Sequence, residues 1–495
     1  MKKHLIILAF ISGIINFSCK KELELAPVSQ ISNGSFWKTE ADAQGAMNGM
    51  YTILRGEAVN NLFIWGESRS DAMGENAGAA VFLNWYENLL TAENSGSIFS
   101  GSTTTWAGMY NLVHHTTLIL KYVPEIAFSS EAKKKNILAH AYAMRAFAYF
   151  TMSKTWGELP LVTAPTTDLS NVQRVRSSVT DVFALVKADI SEAEALFAGM
   201  GFTDGRDVWS LPALLALKAD VYLWTGKTMN GGDADFNTAL AALNSIDNAD
   251  VQLLSEFGNV FDYTNKRNSE ILMAVNFNYQ ESPVATIYSW MYATDVFMPA
   301  GVDQATLNYL QPFAGVPFWG PSTIARNKFS ADDKRKKETL TEIYGNIGGG
   351  PVFHSAVVTK FNGTVVAGQR YFIDDYILYR YADVLLMRAE AKNALNQDPS
   401  TEMNLVIQRA YGADYPAHRF VSTNKVANDV AILDERFREL MFEGKRWWDL
   451  VRFGKAFDLV PSLQGRGANN NLLKFPIPVS TLSLEPLVVQ NPGFN

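Results

Sequence analysis

The chain has one cysteine, Cys19, in 495 residues. It therefore has no internal disulfide framework. Long apolar runs are missing as well. The stretch that comes nearest is 5–17, whereas a bilayer-spanning helix needs about 20 consecutive apolar residues. Histidine is sparse, with six in all. The sequence contains no HExxH pair, no phosphate-cradling glycine loop and no GxSxG elbow. Zinc-protease, nucleotide-dependent and α/β-hydrolase chemistry thus have no motif to rest on. Basic clusters are absent too: 43 Lys and Arg stand against 50 Asp and Glu, for a net charge of −7. That balance gives nucleic acid no electrostatic footing and disfavours strongly acidic polymers. Nothing calls for a cofactor or a metal.

What the N-terminus does contain is ordered. Lys2, Lys3 and His4 precede the apolar stretch, and Ser18 lies directly before Cys19. A charged start, an apolar segment and a small residue at the cut are the parts of a secretory signal. A lone cysteine at the cut predicts a lipoprotein, cleaved before Cys19 and acylated there, since more than one acyl chain anchors stably. The signal is then 1–18, and residues 19–35 form a polar, extended tether. Losing Lys2 and Lys3 leaves 41 basic and 50 acidic residues, a charge of −9. The mature body is expected to be water-soluble and held only at its N-terminus.

Helical patterns dominate the body. They are predicted over 41–55, 106–122, 131–154, 179–197, 211–224 and 234–246. Helix pairs of this size and spacing resemble tetratricopeptide units. Between them, 56–105 reads as long loops with short helices, and loops of that length are commonly functional. Residues 281–320 are different again: eight of 40 positions are aromatic, and the charges are limited to Glu281, Asp295 and Asp303. From Asp375 onward, Ile377, Tyr381, Val384, Met387, Ala391 and Leu395 trace one apolar stripe. A second helix is predicted over 432–451. There Glu435, Glu439 and Glu443 recur every four residues among basic side chains, a spacing that supports pairs along a helix. Trp447 and Trp448 in that helix are expected in the core. The tail 473–495 is predicted to lie extended on the surface.

Several segments, taken in order, resemble the SusD/RagB family of nutrient-binding surface lipoproteins. They are FWKTEADAQGAMNGMY (36–51), GESRSDAM (66–73), MRAFAYFTMSKTWGELPLV (144–162), YILYRYADVLLMRAEAKNAL (376–395), ERFRELMFEGKRWWDLVRFGK (435–455) and FPIPVSTLSLEPLVVQNPGFN (475–495). The resemblance implies a mostly α fold, with tetratricopeptide-like pairs as scaffold and an irregular, loop-rich half that carries the ligand site. The division expected is 36–265 and 266–495, joined in one body. It further implies capture of an oligosaccharide, or less often a peptide. Delivery would be to a SusC-like TonB-dependent transporter in the outer membrane, at the cell surface and without catalysis. A surface glycoside hydrolase and a purely structural lipoprotein are the other classes considered. Asp332–Asp333 and Asp374–Asp375 are adjacent pairs, which do not by themselves set an acid and a base across a sugar bond.

Sugars are held by aromatic faces together with planar hydrogen-bonding groups. Two regions outside the regular helices combine these. The first supplies Arg69, Asp71, Asn84, Trp85 and Tyr86; the second supplies Tyr288, Trp290, Tyr292, Phe318 and Trp319. The expected platforms are Trp85 with Trp290 or Trp319, and the expected hydrogen-bonding groups are Asn84 and Arg69 or Asp71.

Overall fold

The computed structural model describes residues 36–77, 83–92, 105–166, 173–281, 286–346, 348–467 and 470–494. Cys19 and the tether lie outside the described residues. The first helix, α1 (Glu40–Ala58), starts where the sequence provides a reciprocal cap. The Thr39 hydroxyl accepts from the Asp42 N–H, and the Asp42 carboxylate accepts from the Thr39 N–H. Serine side chains cap three later helices: Ser130 accepts from the Ala132 N–H, Ser178 from the Asp181 N–H and Ser210 from the Ala213 N–H.

In chain order the scaffold is α1, α2 (Ala107–Tyr122), α3 (Glu131–Trp156), α4 (Val179–Leu196), α5 (Leu211–Thr228) and α6 (Gly232–Ser245). Successive helices pack on one another, and α6 also meets α7 (Tyr381–Ala394) from the second half. α7 in turn packs on α8 (Ser400–Tyr411) and α9 (Lys425–Leu440). The architecture is mostly helical, with four two-stranded antiparallel sheets among the described residues. They pair β1 (Met73–Glu75) with β3 (Trp319–Pro321) and β2 (Ile271–Val275) with β8 (Tyr376–Arg380). They also pair β4 (Leu340–Asn346) with β5 (Pro351–Val358), and β6 (Thr364–Val366) with β7 (Gln369–Tyr371). One apolar core runs from Ala43 to Val488 and so draws on nearly the whole described chain.

Three sequence expectations need correction. The stripe from Ile377 is not one helix: 376–380 is strand β8, and α7 begins only at Tyr381. Pairing with β2, in the register Ile271↔Arg380 and Val275↔Tyr376, outweighs the helical period here. The helix predicted over 432–451 is broken. α9 stops at Leu440, Phe442 and Gly444 take positive φ, and α10 (Arg446–Arg452) starts afresh. The buried Glu67 carboxylate explains the break, because it accepts the backbone N–H groups of Phe442, Lys445 and Arg446. Gly444 is needed because a Cβ there would overlap the Tyr376 hydroxyl. Trp447 and Trp448 are buried, in keeping with a core role. The tail, thirdly, is not wholly extended: 479–484 is helical, and Asn491 donates to the carbonyls of Trp156 and Phe475.

The regular glutamates do not act mainly along their helix. Glu435 accepts from Arg335, and from Arg438 three residues on. Glu439 accepts from Arg335 at 3.0 Å, Arg380 at 2.6 Å and Arg409. Glu443 meets Lys360 at 2.6 Å and Arg380 at 2.7 Å. With Asp333 on Arg335 and Glu270 on Arg380 and Arg409, five cations face five carboxylates. Most of these groups are out of contact with water. Burial pulls the Lys360 ammonium down to about 8, against the opposing pull of Glu443. Burial opposes ionisation of Glu439, but its three arginines and Lys360 overcome that and hold its carboxyl well below the usual range.

The paired aspartates are structural. Asp333 belongs to this network and Asp332 pairs with His418 at 2.6 Å. Asp375 pairs with Lys266, and Asp374 accepts from the Gly363 N–H at 2.8 Å.

Two outcomes are expected. Glu439→Gln removes one charge from a buried, balanced cluster and costs roughly 3–5 kcal/mol in urea unfolding. Arg438→Ala, at the cluster's wetter edge, costs about 1 kcal/mol or less. Burial pushes the Asp374 carboxyl up to about 7, with Lys266 and the Gly363 N–H opposing. The folded chain therefore keeps a proton that the unfolded chain releases near pH 4. Stability falls as pH rises from about 4 to about 7. Asp374→Asn should flatten that slope, raising stability near pH 8 relative to pH 5 by roughly 2–4 kcal/mol over the parent.

Candidate functional site

The two sequence-flagged regions do meet. Within the second region, backbone bonds join Val316 N–H to Ser289 O at 2.8 Å and Phe318 N–H to Trp290 O at 3.0 Å. Trp85 and Trp319 come together at 5.6 Å between ring centroids, and Phe63 lies 5.8 Å from Trp319. They meet in the interior, however. Trp85 is 1% exposed, Trp319 0%, Tyr288 2% and Trp290 7%. Tyr86 and Tyr292 are buried as well, while Phe318 is half-buried. Tyr288 stacks on Phe361 at 4.4 Å, and the Tyr292 hydroxyl donates to Leu310 O.

The polar residues of these regions are engaged too. Arg69 donates to Asn88 Oδ1 at 2.8 Å and to the carbonyls of Leu472 and Lys474, with its guanidinium 4.2 Å over Trp447. Burial, then the Arg466 charge, brings it down to about 9. Asp71 is held bidentately by Arg446, at 2.7 Å to each oxygen. The expectation that Trp85, Trp290 and Trp319 are open platforms, with Arg69 or Asp71 reaching a ligand, is thus corrected. These side chains lie buried inside a packed wall. Of the set, Asn84, in the turn Leu83–Tyr86, is half-exposed.

The open face belongs to the strands that this wall supports. β1 pairs with β3 in the register Glu75↔Trp319, and the Asn76 amide donates to Trp319 O at 3.3 Å and Ala356 O at 2.6 Å. That ties β3 to β5, and Gly320 allows it, since a Cβ there would overlap Asn76 and the Ala356 carbonyl. The inner half of β5 is buried and its outer half, from Pro351 to His354, stands in solvent. On this projecting hairpin Tyr344 (40% exposed) and Phe353 (39% exposed) face each other across the strands, 5.8 Å apart at 77°.

Arg326 completes the arrangement. It ends the short helix Thr323–Arg326, which Ser322 caps directly after β3. Its guanidinium lies 3.8 Å from the Phe353 ring centroid and donates to Glu342 at 3.1 Å and to the Thr323 hydroxyl at 3.0 Å. Lys336 meets the other Glu342 oxygen at 3.1 Å. Two open rings beside a planar cation and a carboxylate offer stacking faces and directional donors and acceptors at one place. A hairpin signal was present in the sequence, with Tyr344 and Phe353 flanking three consecutive glycines, 348–350. Among the described residues no cluster of three or more His, Cys, Asp or Glu could hold a metal ion. None of the described helices is long and apolar enough to cross a membrane.

Comparison with known proteins bears on the family and the fold. Residues 356–494 match the SusD family, and residues 25–222 match a SusD-like family described as starch-binding and associating with the outer membrane. The chain belongs to the SusD/RagB family. NanU of B. fragilis is 32% identical over 95% of this chain and all of that one, with a TM-score of 0.80. A SusD-like protein of Formosa agariphila is 29% identical over 92% of this chain and 91% of its own. The starch-binding protein SusD of Bacteroides thetaiotaomicron is 22% identical over 96% of each.

The wall and the platform should separate in mutagenesis. Trp319→Ala empties a packed interior and is expected to cost about 3–5 kcal/mol in denaturant unfolding. Tyr344→Ala and Phe353→Ala, half in water, should each stay within about 1 kcal/mol of the parent.

Proposed function

We propose that this protein is a cell-surface glycan-binding lipoprotein of the outer membrane. In this reading it is anchored by lipid on Cys19 and captures an oligosaccharide on the Tyr344–Phe353 platform. It hands the ligand, chemically unchanged, to a SusC-like TonB-dependent transporter. Family membership supports the carbohydrate class, since a family description and a full-length relative both carry starch binding in their names. The observation that bears most on the location is the exposed aromatic pair with the Arg326–Glu342 fork beside it.

The chemistry is complementary. Pyranose rings have an apolar C–H face that suits Tyr344 and the open side of Phe353, while one side of Phe353 is taken by Arg326. Equatorial hydroxyls both donate and accept, which matches a carboxylate next to a guanidinium. The platform is open, so affinity should be modest and should grow with the number of sugar units laid across it.

Affinity gels and calorimetry against a panel of plant, algal and host glycans test this. Saturable binding of at least one oligosaccharide is expected, with no new reducing ends. Tyr344→Ala or Phe353→Ala should weaken it about tenfold or more. Release of reducing ends would replace this reading with a hydrolase. Binding of peptides alone would replace the ligand class, and glycan binding indifferent to both substitutions would remove the platform from it.

A further inference from the structure

A cavity of about 720 Å³ lies where helices α3, α5, α7 and α10 end, and it shares no lining residue with the platform. That volume is within the range of small-molecule sites. Its charged lining is nearly of one sign: Lys154, Lys227, Lys425, Arg452 and Lys474 stand against Asp429. We infer that this cavity is a second ligand site, for a small organic carboxylate with an apolar body.

The first argument is what two of these cations lack. The other three are taken. Lys227 lies 3.3 Å from Glu390 and 3.6 Å from Asp429, Arg452 pairs with Asp220, Glu390 and Asp449, and Lys425 donates to Ala394 O at 2.6 Å. Lys154 and Lys474 differ: among the described residues neither ammonium has a hydrogen-bond acceptor. The Lys154 side chain is 8% exposed, and its nearest carboxylate oxygen, on Asp220, is 3.8 Å away. Asp220 is itself held by Arg452 at 3.0 Å and by the Tyr379 hydroxyl at 3.1 Å. The Phe150 ring lies 3.9 Å from the ammonium, but one ring face does not replace acceptors for three N–H groups. Burial pulls this ammonium down to about 8, against the Asp220 charge. The Lys474 ammonium rests on Gly157 in the cavity wall, 2.6 Å from where a Cβ would stand. Helix-end carbonyls do not account for the two. At the end of α3, Ser153 O accepts from the Gly157 N–H, Thr155 O from the Phe475 N–H, and Trp156 O from Arg176 and Asn491. Lys154 also borders an inner cavity of about 60 Å³, which has room for waters but not for an organic ion. An ammonium removed from bulk water without acceptors is costly, so two lining one cavity point to an anion that enters it.

The second argument is the rest of the lining. A cation would meet five positive groups, and the one carboxylate, Asp429, already accepts from Asn393 at 2.9 Å beside Lys227. A neutral molecule would leave both ammonium charges uncompensated. Val179, Met229, Val451, Phe453 and Leu473 stand half-buried around the same cavity, Phe453 with one face under Lys227. Covering such apolar surface with an apolar group is favourable. The lining thus sets both parts of the ligand: an anionic head at Lys154 and Lys474, and an apolar body against Met229, Phe453 and Leu473. The site goes beyond the platform reading and does not need it.

The test is calorimetric titration of the chain from Lys20 to Asn495, which retains every described residue and needs no detergent. The probes are benzoate, phenylacetate and 3-phenylpropanoate at millimolar concentration, with phenylacetamide as the uncharged counterpart. Saturable binding of at least one carboxylate is expected, weakened by added salt, with phenylacetamide about tenfold weaker or more. Lys154→Met removes the ammonium and leaves Asp220 with Arg452 and Tyr379. It should weaken binding about tenfold or more. Lys474→Met, nearer to water, keeps the test decisive if Lys154→Met fails to fold, and should weaken binding about fivefold. Tyr344→Ala should leave it unchanged. No saturable binding by the parent chain overturns the site. So does phenylacetamide that binds as tightly as phenylacetate, or carboxylate binding that neither lysine substitution lowers. If glycans fail to bind the platform while phenylacetate still binds here, the platform reading falls and this one stands.

Discussion

Glu439 and Arg380 exchange a 2.6 Å ion pair in the interior, and much of the second half is arranged around it. Through Glu439 the pair reaches Arg335 and Arg409; through Arg380 it reaches Glu270 and Glu443, and Glu443 adds Lys360. One charge cluster thereby joins α8, α9, β8, the approach to β2 and the exit of β5. Such a cluster adds little net stability over a well-packed apolar one, because desolvation offsets the attraction. Its effect is geometric. Each charge is satisfied in one arrangement, so the loops that carry Asp333, Lys360 and Glu443 have no equivalent alternative.

The joint between the halves is built on the same principle. Glu67 arrives from the first half and takes three backbone N–H groups of the turn between α9 and α10. Asp71, four residues on, takes Arg446 from that turn. Arg452 then reaches Asp220 on α5 and Glu390 on α7. The helical scaffold and the irregular half are therefore bolted together by carboxylates seated on backbone and arginine. The irregular half can leave a hairpin in solvent because its base does not depend on the hairpin for stability.

This division explains why the platform proposed at Tyr344 and Phe353 is not legible in the sequence. Trp85, Trp290 and Trp319 had the composition expected of a sugar site, in loop-rich segments with few charges. Low charge density and clustered rings equally describe a wall under irregular backbone, and that is their place here. Tyr344 and Phe353 sit in a hairpin with ordinary alternation, and nothing in their own residue types separates an outward ring from an inward one. The outward direction comes from where β5 enters the core: its second half is buried against β3, and its first half, Pro351–His354, is exposed.

The sequence by itself determined the mostly helical scaffold and its family, because apolar periodicity and short motifs are local and additive. It also flagged both aromatic regions that later proved to be neighbours. Only the tertiary structure decided which rings face water, where the stripe at Ile377 gives way to a strand, and where the helix expected over 432–451 breaks. Those outcomes turn on partners far away in the chain. Glu67 breaks a helix about 375 residues distant, and β2 claims 376–380 as a strand from a hundred residues upstream. No local period carries that information, since a long-range hydrogen bond outweighs propensity differences of a fraction of a kcal/mol per residue.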